Sequence, residues 1–245
     1  MVQINGDNNS NFLAGYTEAD IINGMGGLDI IDAGAGNDYV FGGDDGDTIF
    51  GREGQDSLYG EAGNDLIYGE AGNDQIDGGI GEDWLYGGAD LDTLNGFNGN
   101  DWLDGGDGSD TLSGEMGDDT IVGGAGDDFI HGGFGADLIY GGIGRDKFAY
   151  LFSNEGIDRI ADFSVAEDMF EIYRSSFGPG LSFGQLPSSQ FLIGSSATSA
   201  SHRFIYNRNT GALYFDSDGT GRAAQVQLAT LSAGLAMTAS NIFVF

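Results

Sequence analysis

The sequence predicts an all-β protein, a right-handed parallel β-roll followed by a mainly β C-terminal capping domain. Three observations carry this expectation. Aspartate recurs at an unbroken spacing of nine residues from Asp20 to Asp146. A large apolar residue follows each of those aspartates by two positions. After Phe148 the period stops, and short alternating apolar runs take its place. A fixed period of this kind marks a repeat architecture, in which each unit buries its apolar face only by stacking on its neighbours.

The repeat aspartates are Asp20, Asp29, Asp38, Asp47, Asp56, Asp65, Asp74, Asp83, Asp92, Asp101, Asp110, Asp119, Asp128, Asp137 and Asp146. With this residue as position six of each unit, position one is Gly everywhere except Ala33. Position four is Gly27, Gly36, Gly54, Gly63, Gly72, Gly81, Gly99, Gly108, Gly117, Gly126, Gly135 or Gly144, with Glu18, Asp45 and Asp90 as departures. Position eight is Ile, Leu, Val or Phe in every unit, from Ile22 to Phe148. Position five is Asn or Asp at Asn37, Asn64, Asn73, Asn100, Asp118 and Asp127. A weaker unit, Gly6 to Ala14, keeps Leu13 but carries Asn11 in place of Asp, and residues 1–14 read as an N-terminal cap. Residues 1–149 therefore form the expected roll, and residues 150–245 the capping domain.

Units such as Gly123-Gly124-Ala125-Gly126-Asp127-Asp128-Phe129-Ile130-His131 resemble the glycine-rich RTX nonapeptide, a calcium-binding repeat. The resemblance covers about 60% of the chain and is specific. It implies a roll in which a six-residue Gly-rich turn alternates with a three-residue strand at positions seven to nine. The central strand residue then points away from its two neighbours, toward the interior. Two units make one coil of eighteen residues, with two parallel sheets and the aliphatic side chains meeting between them.

Calcium takes six to eight oxygens, from carboxylates and backbone carbonyls alike, and glycine lets a turn aim successive carbonyls inward. The expectation is one ion between each pair of stacked turns. It would take ligands from positions two, four and six of the turn below and positions one, three and five of the turn above. The sixteen units stand in two columns and leave seven gaps in each, so the roll is expected to hold roughly 8 to 14 ions. One buried aliphatic per unit stabilises by about 1.5–3 kcal/mol, whereas ordering each of its nine residues costs about 1–2 kcal/mol in backbone entropy. Ions must therefore supply cohesion that the core lacks.

Charge points the same way. The chain has 39 acidic and 8 basic residues, a formal charge of −31, and residues 1–149 hold 31 of the acids against Arg52, Arg145 and Lys147. Nucleic acid and anionic membranes would be repelled. No stretch approaches the roughly 18 apolar residues of a membrane span, and the start Met1 to Gly6 has no cleaved-signal pattern. There is no cysteine, hence no disulfide and no thiolate site.

Strands are expected at Ile157–Phe163, Asp168–Ile172, Arg203–Asn207, Gly211–Asp216, Ala223–Leu228 and Asn241–Phe245, with a hairpin turn at Asn209-Thr210-Gly211. This part resembles the C-terminal domains that follow β-rolls in serralysin-type proteases and mannuronan epimerases. The matching stretches are Asp158 to Phe163, Thr210 to Gly219 and Asn241 to Phe245. The resemblance implies further calcium ligands at Asp158 and Asp162, an extracellular destination, and an extreme C-terminus read by a type I secretion apparatus. Family ends carry an acidic residue before the final apolar ones, where this chain has Asn241. Asp216-Ser217-Asp218-Gly219 reads as either a further calcium site or a solvated hairpin tip.

No catalytic constellation is legible, and the chain is not expected to be an enzyme. Gly180-Leu181-Ser182-Phe183-Gly184 matches a nucleophile elbow only formally, because Gly178-Pro179-Gly180 precedes it instead of a buried strand. His131 and His202 are expected at the surface. The chain has no His-Glu-x-x-His zinc motif. Outward aromatics at Tyr59, Tyr68, Trp84, Tyr86, Trp102 and Tyr140 read as sheet-surface packing or as a platform for polysaccharide or a partner protein.

Overall fold

A computed structural model describes residues 1–178 and 180–245; Pro179, within the stretch Gly178-Pro179-Gly180, lies outside them. Among the described residues two sheets of 12 and 13 strands face one another, and successive strands alternate between them through residue 172. Pairing within the repeats is parallel at a register of eighteen residues, as in Trp84 with Trp102 and Leu85 with Leu103. Two nonapeptides thus form each coil.

The inward stripe is the position-eight column, with Ile22, Ile49, Leu85, Leu103 and Ile130 all at 0% exposure. Its neighbours at positions seven and nine are exposed or half-buried in most repeats, the two-residue alternation of a pleated strand. The ladder takes in twice the expected number of residues. Strands such as Thr48–Glu53 and Trp84–Ala89 run from position seven through position three of the next unit. The turn predicted to occupy six residues is compressed to three.

That compression explains where glycine is required. A Cβ on Gly81, at φ 146°, would land on the carbonyl of Gly63 in the preceding coil. Position two is left-handed as well, although it is not uniformly Gly. Met25, Arg52, Glu61, Glu70, Phe97 and Glu115 occupy it with φ between 70° and 82°. Each such residue stores about 1–3 kcal/mol of backbone strain.

The roll extends beyond the periodic sequence at both ends. Ile4, within the predicted cap on the strand Gln3–Asn5, pairs with Ile22 and packs on the core, one half-coil earlier than the weak unit Gly6 to Ala14. At the other end Ile160 pairs with Ile139, and Phe170 with Phe148. The six C-terminal strands expected from sequence appear as Asp158–Ile160, Met169–Ile172, Phe204–Asn207, Ala212–Phe215, Val226–Thr230 and Ile242–Val244. Phe204–Asn207 and Ala212–Phe215 form the antiparallel hairpin, its turn closed by the Gly211 N–H donating to the Asn207 carbonyl at 2.8 Å. Short strands Gly184–Gln185 and Phe191–Ile193 terminate the two sheets. Among the described residues no helix is long and apolar enough to cross a membrane.

Candidate metal centre

Position six turns each strand toward the core and buries its carboxylate. All fifteen repeat aspartates are at most 3% exposed. One oxygen of each is committed to the fold: Oδ1 of Asp83 accepts the N–H of Asp65 at 2.8 Å, and Oδ1 of Asp101 accepts that of Asp83 at 2.8 Å. The same bond recurs up both columns, from Asp20 bonded to Asp38 through Asp128 bonded to Asp146. The ladders continue past the period, because Asp158 accepts from Asp137 at 3.2 Å and Asp168 from Asp146 at 3.1 Å.

The second oxygen is the informative atom. In Asp29, Asp38, Asp47, Asp56, Asp65, Asp74, Asp83, Asp92, Asp101, Asp110, Asp119, Asp128, Asp137 and Asp146, Oδ2 is buried and has no hydrogen-bond partner. A buried carboxylate oxygen without a partner costs several kcal/mol, and here the penalty repeats fourteen times. Without a counter-charge, burial, offset in part by the main-chain hydrogen bond and reinforced by neighbouring carboxylates, pushes the carboxyls of Asp47, Asp74, Asp83, Asp119 and Asp128 up to about 7. Burial likewise lifts Asp56, Asp65, Asp92, Asp101 and Asp146 to about 6.

A divalent cation fits these residues. Where position one is glycine, Oδ2 of the same unit lies against it, as Asp83 Oδ2 does against Gly78. The neighbouring turn brings a carbonyl to the same place, as that of Gly105 does for Gly87 beside Asp92. Among the described residues no three acidic or histidine side chains converge, so an ion in a gap must complete its shell from main-chain carbonyls. Calcium accepts such a donor set, and zinc, which favours a closed tetrahedron of side chains, does not.

The other predicted ligands divide. Side chains at position five form an exposed ladder of their own. Asn37, Asn64, Asn73 and Asn100 accept the N–H groups of Gln55, Glu82, Leu91 and Asp118. Asp118 accepts from Ala136, and Asp127 accepts from the main chain and guanidinium of Arg145. Their side-chain oxygens are thus engaged with the next coil. Gly27, Gly36, Gly54, Gly63, Gly72, Gly81, Gly99, Gly108, Gly117, Gly126, Gly135 and Gly144 stand at positive φ, each packed against the backbone of the preceding coil. Asp158 receives the Tyr150 hydroxyl on its second oxygen at 2.6 Å, and Asp162 receives the Gly141 and Gly142 N–H groups at 2.9 and 3.0 Å. At the hairpin tip, Asp216 accepts from the N–H groups of Asp218 and Gly219.

His131 corrects the surface expectation. It is 9% exposed, with Nε2 3.1 Å from Glu155 and Nδ1 3.3 Å from Ser113. The loop after Tyr150 folds back over it, and Glu155 also accepts the N–H groups of Leu151 and Phe152. His202 is half-buried, and its Nδ1 accepts from the Thr198 N–H. No helix follows Ser182, where an elbow would need one; the next element is the strand Gly184–Gln185.

A family model described as the RTX calcium-binding nonapeptide repeat matches residues 5–40, 41–76, 77–112 and 113–148, more than half of the chain. The chain belongs to that family. As an RTX protein it is a calcium-binding β-roll module. Similar solved structures include a subunit of the mannuronan C5-epimerase of Azotobacter vinelandii, at 24% identity over 66% of this chain and 78% of that one, with a TM-score of 0.30. Another is the extracellular lipase LipA of Serratia marcescens, at 15% identity over 98% of this chain and 39% of the lipase, with a TM-score of 0.27. No curated protein matches the chain.

Proposed function

We propose that this RTX chain is a calcium-responsive folding and export module, with the repeat aspartates as side-chain ligands and no catalytic step of its own. The observation that carries the reading is the row of buried Oδ2 atoms without partners. A roll with that many uncompensated carboxylates is unstable at submicromolar calcium and stable where calcium is millimolar, the working range of extracellular modules. The chain would pass a type I secretion apparatus extended and fold outside the cell.

The C-terminus supports this order of events. Ile242 and Val244 are buried within a sheet, so an apparatus could read them only while the chain is unfolded. Asn241 suits its place in the folded state, because its Nδ2 donates to the Val165 and Asp168 carbonyls at 3.0 and 3.1 Å, which a carboxylate could not do. The boundary at residue 149 marks the end of the nonapeptide period, and the strand Lys147–Tyr150 crosses it without a break.

Adhesion to polysaccharide is the weaker reading. Phe50, Tyr68 and Tyr86 stack at 5.3 and 4.9 Å with interplanar angles of 3° and 10°, and Trp84 stacks on Trp102. These rings spend their faces on one another and present mostly edges to a sugar.

Titration of chelated protein with calcium, followed by far-UV circular dichroism and calorimetry, tests the proposal. Conversion from coil to β structure with uptake of roughly 8 to 14 ions is the expected result. Full β content with chelator present would contradict it.

A further inference from the structure

Phe97 is out of place on conformational grounds. It sits at position two with φ 70°, where eight other units have glycine and five have Met, Arg or Glu, and the residue is 42% exposed. A bulky residue held in strained backbone and left facing solvent is a reason to look for a function there.

The ring lines a groove of about 350 Å³ on the outer face of the 12-stranded sheet, together with Phe41, Tyr59, Glu61, Asp77 and Ile80. Phe41 and Tyr59 stack at 5.1 Å and form one wall, and Ile80 is 63% exposed on the other side. Along the same strand ends the apolar surface continues through Met116 and Phe134, in register with Asn98, and on to Phe152, which stacks on Phe134 at 5.9 Å. Among the described residues neither Glu61 nor Asp77 has a cationic partner; Asp77 accepts only from Asn95 and Gln75. The groove therefore combines exposed apolar anchors with carboxylates that lack counter-ions, apart from the buried aspartates proposed to hold calcium.

We infer that this groove docks a cationic amphipathic peptide segment of a partner protein. Its apolar side chains seat between Tyr59, Ile80 and Phe97, and its basic side chains meet Glu61 and Asp77. Charge decides the occupant. A second copy would bring Glu61 and Asp77 against the same carboxylates of its partner, whereas a basic segment is attracted to them.

The test uses the full calcium-loaded chain and two synthetic probes of equal length and charge, a Leu/Lys amphipathic peptide and a Ser/Lys peptide, at about 0.15 M salt. The Leu/Lys probe should saturate a single site, and Phe97→Gly should weaken that binding about tenfold or more. Glycine relieves the positive φ, so this variant should fold at least as well as the parent and the loss cannot be ascribed to unfolding. Glu61→Gln with Asp77→Asn should weaken binding and flatten its salt dependence. Equal binding of the Ser/Lys probe, no effect of Phe97→Gly, absence of saturation, or self-association through this face in sedimentation would each overturn the inference.

Discussion

Replacing Asp83 by Asn separates an ion ligand from a purely structural aspartate, because the two roles predict different responses to calcium. Asn keeps an Oδ1 to accept the Asp65 N–H, now at 2.8 Å, and replaces the charged, unpartnered oxygen by a neutral amide NH2 that cannot ligate a cation. Burial, followed by the charges of Asp65 and Asp101, holds the Asp83 carboxyl at about 7 against an ordinary 3.8. That gap corresponds to about 4 kcal/mol of destabilisation in ion-free protein above pH 7, which Asn relieves. In calcium the variant forfeits at least one ion, whose contribution grows by about 1.4 kcal/mol for each tenfold rise in calcium above its Kd. Parent and variant stabilities should therefore cross as calcium rises, with Asn the more stable at the low end and Asp at the high end. Urea unfolding followed by circular dichroism across a hundredfold calcium range reads this directly. A difference between the two proteins that stays constant over the range would refute the ligand role.

Further expectations follow from the same geometry. Tyr150→Phe removes the hydroxyl that donates to Asp158 Oδ2 at 2.6 Å, and should cost about 1–3 kcal/mol in urea unfolding at saturating calcium; an unchanged midpoint would show that the bond contributes nothing. Gly81→Ala drives a Cβ into the Gly63 carbonyl, whereas Glu115→Gly relieves a φ of 71°, so the first should lower the melting temperature and the second should hold or raise it. For His131, burial lowers the pKa, but the hydrogen bond and charge of Glu155, with added charge from Glu115 and Asp158, more than reverse this and leave it above 6.5. The His131–Glu155 pair should stabilise fully below about pH 6.5 and lose that contribution as pH rises through the folded value. His131→Gln should abolish this part of the pH dependence in thermal unfolding, and an unaltered profile would remove the ion pair from the account.

The roll was legible because its signal is one residue repeated at a fixed interval. Aspartate at position six and an aliphatic at position eight fixed the coil length, the parallel register and the buried stripe. Insertions hid the coils that follow. Asp137 to Asp158 is 21 residues and Asp146 to Asp168 is 22, against 18 inside the roll. Asp168 was missed for that reason, although it lies on the same ladder, and the extra residues are taken up in the loops before Asp158 and Met169. Strand length was underestimated because glycine at position one reads as turn, while the ladder needs it as a strand residue without a side chain. Left-handed backbone at position two leaves only a partial compositional trace, since Glu, Arg, Met and Phe occupy it alongside Gly. The burial of His131 depends on Glu155, 24 residues away on a loop with no period of its own.

Amide hydrogen exchange, compared in millimolar calcium and in chelator, tests most directly whether ions hold the roll together. The N–H groups of Asp20 through Asp146, each bonded to the carboxylate of the next coil, should be strongly protected with calcium and exchange at nearly free-chain rates without it. Equal protection of those amides in both conditions would mean that the stacked coils stand without metal.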